Sequence, residues 1–266
     1  MLASLWQKIK NLFKSPPKQT TPVYTPPVVV VPEPSLPAPI PSNTEYPWNP
    51  KPNRDPNKPV IVVDVYWGDN ITNWKTLGEY ADAIIIKASE GVTRKDPKFD
   101  EFRKKAKENG LLVGFYHFYR TNKDPIAQAD WFCSIVKALV PGDLCVVCDY
   151  ETEDDAADGF DILEVEQFNL RVETKLRMTP WVYSGHIIKQ AGAKFKVPER
   201  FARYFLWIAH YTKGAPVVPA PWSTSNIFLH QFTEEAVVPG ISNPKGTDLN
   251  KFNGTYKDLL NLCYKG

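Results

Sequence analysis

The sequence predicts an α/β fold, an irregular β/α barrel of about eight strands, and three observations point to it. Short β-rich apolar runs alternate with amphipathic helical stretches from Val60 onward. The runs lack strict apolar and polar alternation, as do strands covered on both faces. A chain with 43% apolar and 13% aromatic residues also has the material for a large core.

The runs are "VIVVDV" from Val60, "AIIIKA" from Ala83, "LLVGFYHF" from Leu111, "LCVVCDY" from Leu144, "PWVYS" from Pro180, "YFLWIAHY" from Tyr204, "NIFLHQF" from Asn226 and "GTDLN" from Gly246. Most are rich in the β-branched and aromatic residues that fit a pleated, buried surface. Between the early runs, Asp96 to Asn109, Pro125 to Leu139 and Ile162 to Arg177 carry apolar residues at helical spacing. This repetition implies parallel pairing in a barrel of the triosephosphate isomerase type, with shortened or missing helices in its later half. A doubly wound open sheet is the alternative, weakened because no glycine-rich phosphate loop follows the first run.

Ahead of the barrel, assigned to residues 60–266, the composition changes twice. Of the 25 prolines, 15 fall between Ser15 and Pro59. Proline fixes φ and donates no amide hydrogen, so residues 15–59 read as an extended linker rather than a helix or interior strand. Residues 1–14, "MLASLWQKIKNLFK", space Leu2, Leu5, Trp6, Ile9, Leu12 and Phe13 by about three or four, with Lys8, Lys10 and Lys14 among the polar positions. That amphipathic basic helix suits an anionic membrane surface or a groove on a partner protein. No secretory signal or membrane-spanning run is visible.

Charge and cysteine usage narrow the function classes. Met1 to Lys58 carries seven Lys/Arg against three Asp/Glu, so the overall charge of +2 leaves the remainder net negative. A nucleic-acid enzyme needs its basic patch on the folded body, so nucleic acid is not an expected partner. Cys133, Cys145, Cys148 and Cys263 lack the density of a disulfide scaffold and the pairing of a zinc site. Cys145 and Cys148 lie three apart on a strand and face opposite sides, so all four read as small core residues.

In a β/α barrel the reacting groups sit where strands end. Polar residues closing the runs are Asp64, Lys87 with Glu90, Tyr116 with His117, Asp149 with Glu151, Tyr183, Trp207 with Tyr211, Gln231 and Asp248. Asp149 and Glu151 are two apart, so a strand persisting to Glu151 sends both carboxyls to one side. Held close, they cannot both ionise easily, and the less solvated one keeps its proton to higher pH. An acid beside an anion is what glycosidic cleavage requires. Asp64 and Asp248 extend the acidic pocket, while Tyr116, Tyr183, Trp207 and Tyr211 have faces on which sugars stack. The sequence contains no HExxH, nucleophile elbow or P-loop.

In order along the chain, "DVYWGDNITNW" (Asp64 to Trp74), "AIIIKASEG", "GLLVGFYHF", "ADWF", "CDYE" (Cys148 to Glu151), "VYS", "WIAHY", "HQFT" and "DLNKF" (Asp248 to Phe252) resemble the glycoside hydrolase family 25 lysozymes. These are Chalaropsis-type muramidases, common among bacteriophage lysins. The resemblance spans Val60 to about Phe252. It implies an irregular barrel that hydrolyses the β-1,4 bond between N-acetylmuramic acid and N-acetylglucosamine in peptidoglycan, without metal or cofactor. By that resemblance Glu151 protonates the leaving oxygen and later activates water. Asp149 stabilises the oxocarbenium-like transition state, directly or by orienting the substrate's acetamido group, or acts as a nucleophile. Asp64 and Asp248 tune Glu151 and hold sugar hydroxyls, and Lys87, Glu90, Tyr116, Tyr183 and Tyr211 line the groove; His117, Trp207 and Gln231 complete the expected binding set. The family usually has tryptophan where this chain has His230, which implies altered stacking at a sugar subsite.

The expected role is a phage lysin or virion-associated wall-degrading enzyme, carried in the virion or held in the host cytoplasm until release, with peptidoglycan as its partner. Residues 1–14 would dock on a virion protein or a membrane. The competing readings of the same barrel are a glycan-binding module without turnover and a structural virion protein.

Overall fold

The computed structural model describes residues 48–151, 162–185, 188, 197–226 and 228–266. The expected helix over 1–14 and the linker as far as residue 47 lie outside these residues.

Val60–Val65 forms β1, and its valines are buried. It pairs in parallel with β2 (Ala83–Glu90), which pairs with β4 (Leu112–Phe118). Parallel pairing continues through β5 (Asp143–Asp149), β6 (Trp181–Ser184), β7 (Leu206–Ala209) and β8 (Leu229–Ala236). The last strand, β9 (Thr247–Phe252), is antiparallel to both β8 and β1 and closes the barrel. A two-residue β3 (Arg94–Lys95) folds back on β2 as an extra strand.

The expectation of parallel pairing throughout therefore fails at one strand. β8 and β9 are joined by a loop over residues 237–246 with no helix in it, and such a direct return reverses the chain, whereas a crossover helix would preserve its direction. Gly246 makes that return possible. Its φ is +94°, and a Cβ there would run into the Glu235 backbone.

The three expected helices form, slightly shorter than their apolar patterns. Phe99–Glu108 has Asp100 and Glu101 in its first turn and Lys105 and Lys107 in its last, matching the helix dipole. Pro125–Val136 begins with proline in its first turn behind an Asp124 cap that accepts from Ala127 N at 2.6 Å. It ends where Lys137 turns to φ +63°. Ile162–Leu176 likewise stops at Arg177, φ +55°. Among the described residues, the α-helices Trp74–Tyr80 and Tyr256–Leu262 also form; each is about two turns long, too short for its apolar spacing to show a helical period. A capping box of Thr255 and Asp258 starts the second.

Strand alternation divides the core. Val62, Ile85, Cys145, Val147 and Trp207 fill the barrel, while Val63, Ile86, Phe115, Val146 and Cys148 pack beneath the outer helices. Cys145 and Cys148 thus lie on opposite sides, and all four cysteines are buried and free. Tyr256, Leu259, Leu260 and Cys263 join the interior cluster at the N-terminal ends of the parallel strands, forming a floor.

Residues 48–59, assigned above to the linker, pack on this floor. Arg54 forks onto Asp82, with Nε to Oδ1 at 2.6 Å and Nη2 to Oδ2 at 3.0 Å, and lies 5.0 Å from the centre of the Tyr256 ring. The Tyr256 hydroxyl donates to Asn49 Oδ1 at 3.0 Å. Proline content marks extended backbone, but it says nothing about whether that backbone docks.

Candidate active site

Side chains paired in register across a sheet point the same way, so one inward residue per strand fixes the rest. Lys87 pairs with Tyr116, and Asp149 pairs with Tyr183, which pairs with Trp207. These inward residues meet Asp64, Glu151, Tyr211, Gln231 and Asp248 around a cavity of about 300 Å³ at the C-terminal ends of the parallel strands. Asp248 reaches the same mouth from the start of β9, because that strand runs the other way. β5 ends at Asp149, one residue before Tyr150 turns into the outer core, yet Glu151 still lines the cavity.

Five strands contribute to one hydrogen-bonded wall. Asn250 donates to Asp64 Oδ1 at 2.6 Å and accepts from Trp207 Nε1 at 2.6 Å. Gln231 Nε2 donates to the Asp64 oxygens at 3.3 and 3.2 Å, while its Oε1 accepts from the Tyr183 and Tyr211 hydroxyls at 2.9 and 3.3 Å. The Gln231 amide therefore has one workable orientation, with its nitrogen toward the carboxylate.

Burial governs the acids. It pushes Asp64 up to about 7 against the hydrogen bonds from Asn250 and Gln231, and pushes Asp248 up to about 9 with the Asp64 charge adding to it. Protonated Asp248 can donate to Asp64. Asp149 is only 5% exposed, and its carboxyl is raised well above the usual range by burial first and by the Glu151 charge second, with Lys87 opposing. Among the described residues, Asp149 Oδ1 is a buried oxygen without a hydrogen-bond partner.

Two expected binding residues are elsewhere. Tyr116 and His117 are adjacent on β4, so only one can face inward, and Tyr116 does. His117 is fully buried in the outer core, stacked 5.1 Å from Phe168, with Nδ1 2.9 Å from Ser89 Oγ and Nε2 3.3 Å from Gln128 Oε1. Burial depresses its pKa to about 3, so it is neutral. Glu90 does not line this cavity but a separate one of about 270 Å³, together with Arg94 and Arg120. It holds Lys87 Nζ at 2.9 Å and accepts from Arg120 at 2.7 Å; burial raises its pKa, but these cations outweigh that and bring it down to about 2. His230 also faces away from Gln231, with Nε2 2.7 Å from the His210 carbonyl, so it does not reach the sugar-stacking position expected of it.

The cavity also contains Tyr66, Phe118 and Glu234, and Asn250 supports it from beneath. Period-two spacing was the available signal, since Tyr66 follows Asp64, Phe118 follows Tyr116 and Asn250 follows Asp248, each by two. Among the described residues, no group of three or more His, Cys, Asp and Glu is arranged to hold a metal ion.

A closed barrel with carboxyls and aromatic walls at its mouth has the form of a glycoside hydrolase. The sequence profile of Glycosyl hydrolases family 25 matches residues 63–241, more than half of the chain, and the protein belongs to that family and is a glycoside hydrolase. It is 28% identical to Lysozyme M1 of Streptomyces globisporus over 222 residues, covering 76% of this chain and 70% of that protein. Identity to the autolytic lysozyme of Clostridium acetobutylicum is 26% over 196 residues, covering 72% and 55%. Among solved structures, a bacterial lysozyme from Streptomyces coelicolor is similar with a TM-score of 0.68 and 26% identity, covering 77% of this chain and 97% of that one.

Proposed function

We propose that the protein is an N-acetylmuramidase that cleaves the β-1,4 bond between N-acetylmuramic acid and N-acetylglucosamine in peptidoglycan. One observation carries the reading: a buried carboxyl with an unpartnered oxygen, Asp149, shares an aromatic-walled cavity with the less buried Glu151. Membership of a family that includes the lysozymes named above supports it.

In the empty cleft the proton shared by this pair rests on Asp149, the less solvated partner. Two effects of the sugar transfer it to Glu151. A bound ring strips water from Glu151 and raises its proton affinity, while positive charge growing on the ring favours ionised Asp149, with Lys87 nearby on the same side of the balance. Glu151 then protonates the leaving oxygen and, in the second half of the reaction, takes a proton from water. Asp149 faces the oxocarbenium-like centre or its acetamido group. Tyr116, Tyr183, Trp207 and Tyr211 hold sugar faces, and the Asp64 and Asp248 network holds hydroxyls.

Digestion of purified peptidoglycan followed by analysis of the new reducing ends tests the assignment. Muramic acid ends are expected; glucosamine ends or free amines refute it. Glu151→Gln should lower turnover by about 10²- to 10⁴-fold with Tm unchanged, and undiminished lysis would remove Glu151 from the mechanism.

The proposal extends to the leader: residues 1–14 tether the enzyme to a virion protein or membrane surface, and the barrel acts on the bacterial wall from that anchor or after release from the host cytoplasm. Its support is the leader's sequence pattern alone. Removing residues 1–47 should abolish association with particles or anionic liposomes, and a truncated chain that still binds both rules out the tether.

A further inference from the structure

A second and larger cavity, about 830 Å³, opens between the loop after β1 and the β8–β9 return. It shares Tyr66, Glu234 and Asp248 with the catalytic cavity, so the two are continuous. Asp69, Glu235 and Lys245 complete its charged lining. Its walls are fixed to each other. Asn243 donates to Asp69 Oδ1 at 2.5 Å and to Thr247 Oγ1 at 2.9 Å, and accepts from Asn70 N at 2.9 Å. A cleft held open in this way is preformed for a ligand.

Its chemistry differs from that of the sugar site beside it. Both cavities carry acids and one lysine, but the catalytic cavity is walled by six aromatic side chains, whereas this one has Tyr66 alone. Among the described residues, Glu235 and Lys245 are exposed and make no ion pair. Their charges remain available to a ligand carrying both signs.

We infer that this cavity is a subsite for the peptide substituent of the wall glycan, with Glu235 and the neighbouring acids receiving a free ammonium of a diamino acid and Lys245 receiving a peptide carboxylate. The inference rests on the muramidase reading and narrows its substrate. Amino sugar rings bear no free ammonium when N-acetylated; in peptidoglycan the ionic groups of both signs lie in the peptide. The substituent hangs from the same sugar whose bond is cut, so a cavity opening directly from the catalytic one is within its reach.

The test compares the full chain on three soluble substrates of equal glycan length: peptide-bearing strands, the same strands with the peptide amines N-acetylated, and strands stripped of peptide. The wild type should cut the peptide-bearing strands with kcat/KM about 10-fold above the N-acetylated strands, the scale of one charge-assisted hydrogen bond, and the N-acetylated strands, which keep the carboxylate, above the stripped ones. Glu235→Gln combined with Lys245→Ala should erase that preference while leaving the rate on stripped strands unchanged. Equal wild-type rates on all three, or a preference that survives in the double variant, overturns the subsite and leaves the muramidase reading intact. No cleavage of any strand defeats both.

Discussion

Asn250 shows how much of this mouth depends on residues that never face the substrate. It is fully buried, and it ties the Asp64 carboxylate to the Trp207 indole. Asn250→Ala should lower kcat/KM about 10-fold through misplacement of both neighbours, while the pH profile, set mainly by Asp149 and Glu151, keeps its shape. The acid network also sets stability. Asp64 and Asp248 bind protons more tightly folded than unfolded, so their contribution is complete below the ordinary carboxylate pKa and is lost as pH rises through about 7 and about 9. His117 acts oppositely, since its depressed pKa removes stability only as pH falls below its unfolded value toward about 3. Thermal denaturation should therefore show Tm falling from about pH 7 to about pH 9, and Asp248→Asn, which retains a donor toward Asp64, should flatten that slope. At this scale the sequence was legible wherever a polar residue closed an apolar run. It misled at Tyr116 and His117, where two polar residues compete for one inward position and only the phase of the strand decides.

Among the elements, the long amphipathic helices and the parallel strands were readable because their periodicity persists over several turns or residues. Short pieces were not, and neither was the direction of β9, which depends on a return loop rather than on the strand's own residues. The docked segment over residues 48–59 is a similar case, since its anchor is one arginine among prolines. Arg54 and Asp82 are both nearly enclosed, with side chains 7% exposed. Arg54→Ala leaves Asp82 without its forked partner and should cost about 3 kcal/mol, seen as a lowered urea midpoint at unchanged m. By the same reasoning, a chain starting at residue 60 should be markedly less stable than one starting at residue 48.

For the whole molecule, the barrel separates a floor that stabilises from a mouth that reacts. The short final helix closes the floor, and the mouth draws its groups from all eight barrel strands. Floor substitutions should accordingly move Tm without altering the pH profile of turnover. The floor also gathers both ends of the described barrel: Gly142 N donates to the Tyr264 carbonyl at 3.0 Å, and Trp48 lies against the same glycine. Beads, dyes or fused proteins attached at either end would thus sit on the underside, clear of incoming strands. A short splice from residue 266 back to residue 48 would permit a circular permutant with new termini in a surface loop and the same working mouth.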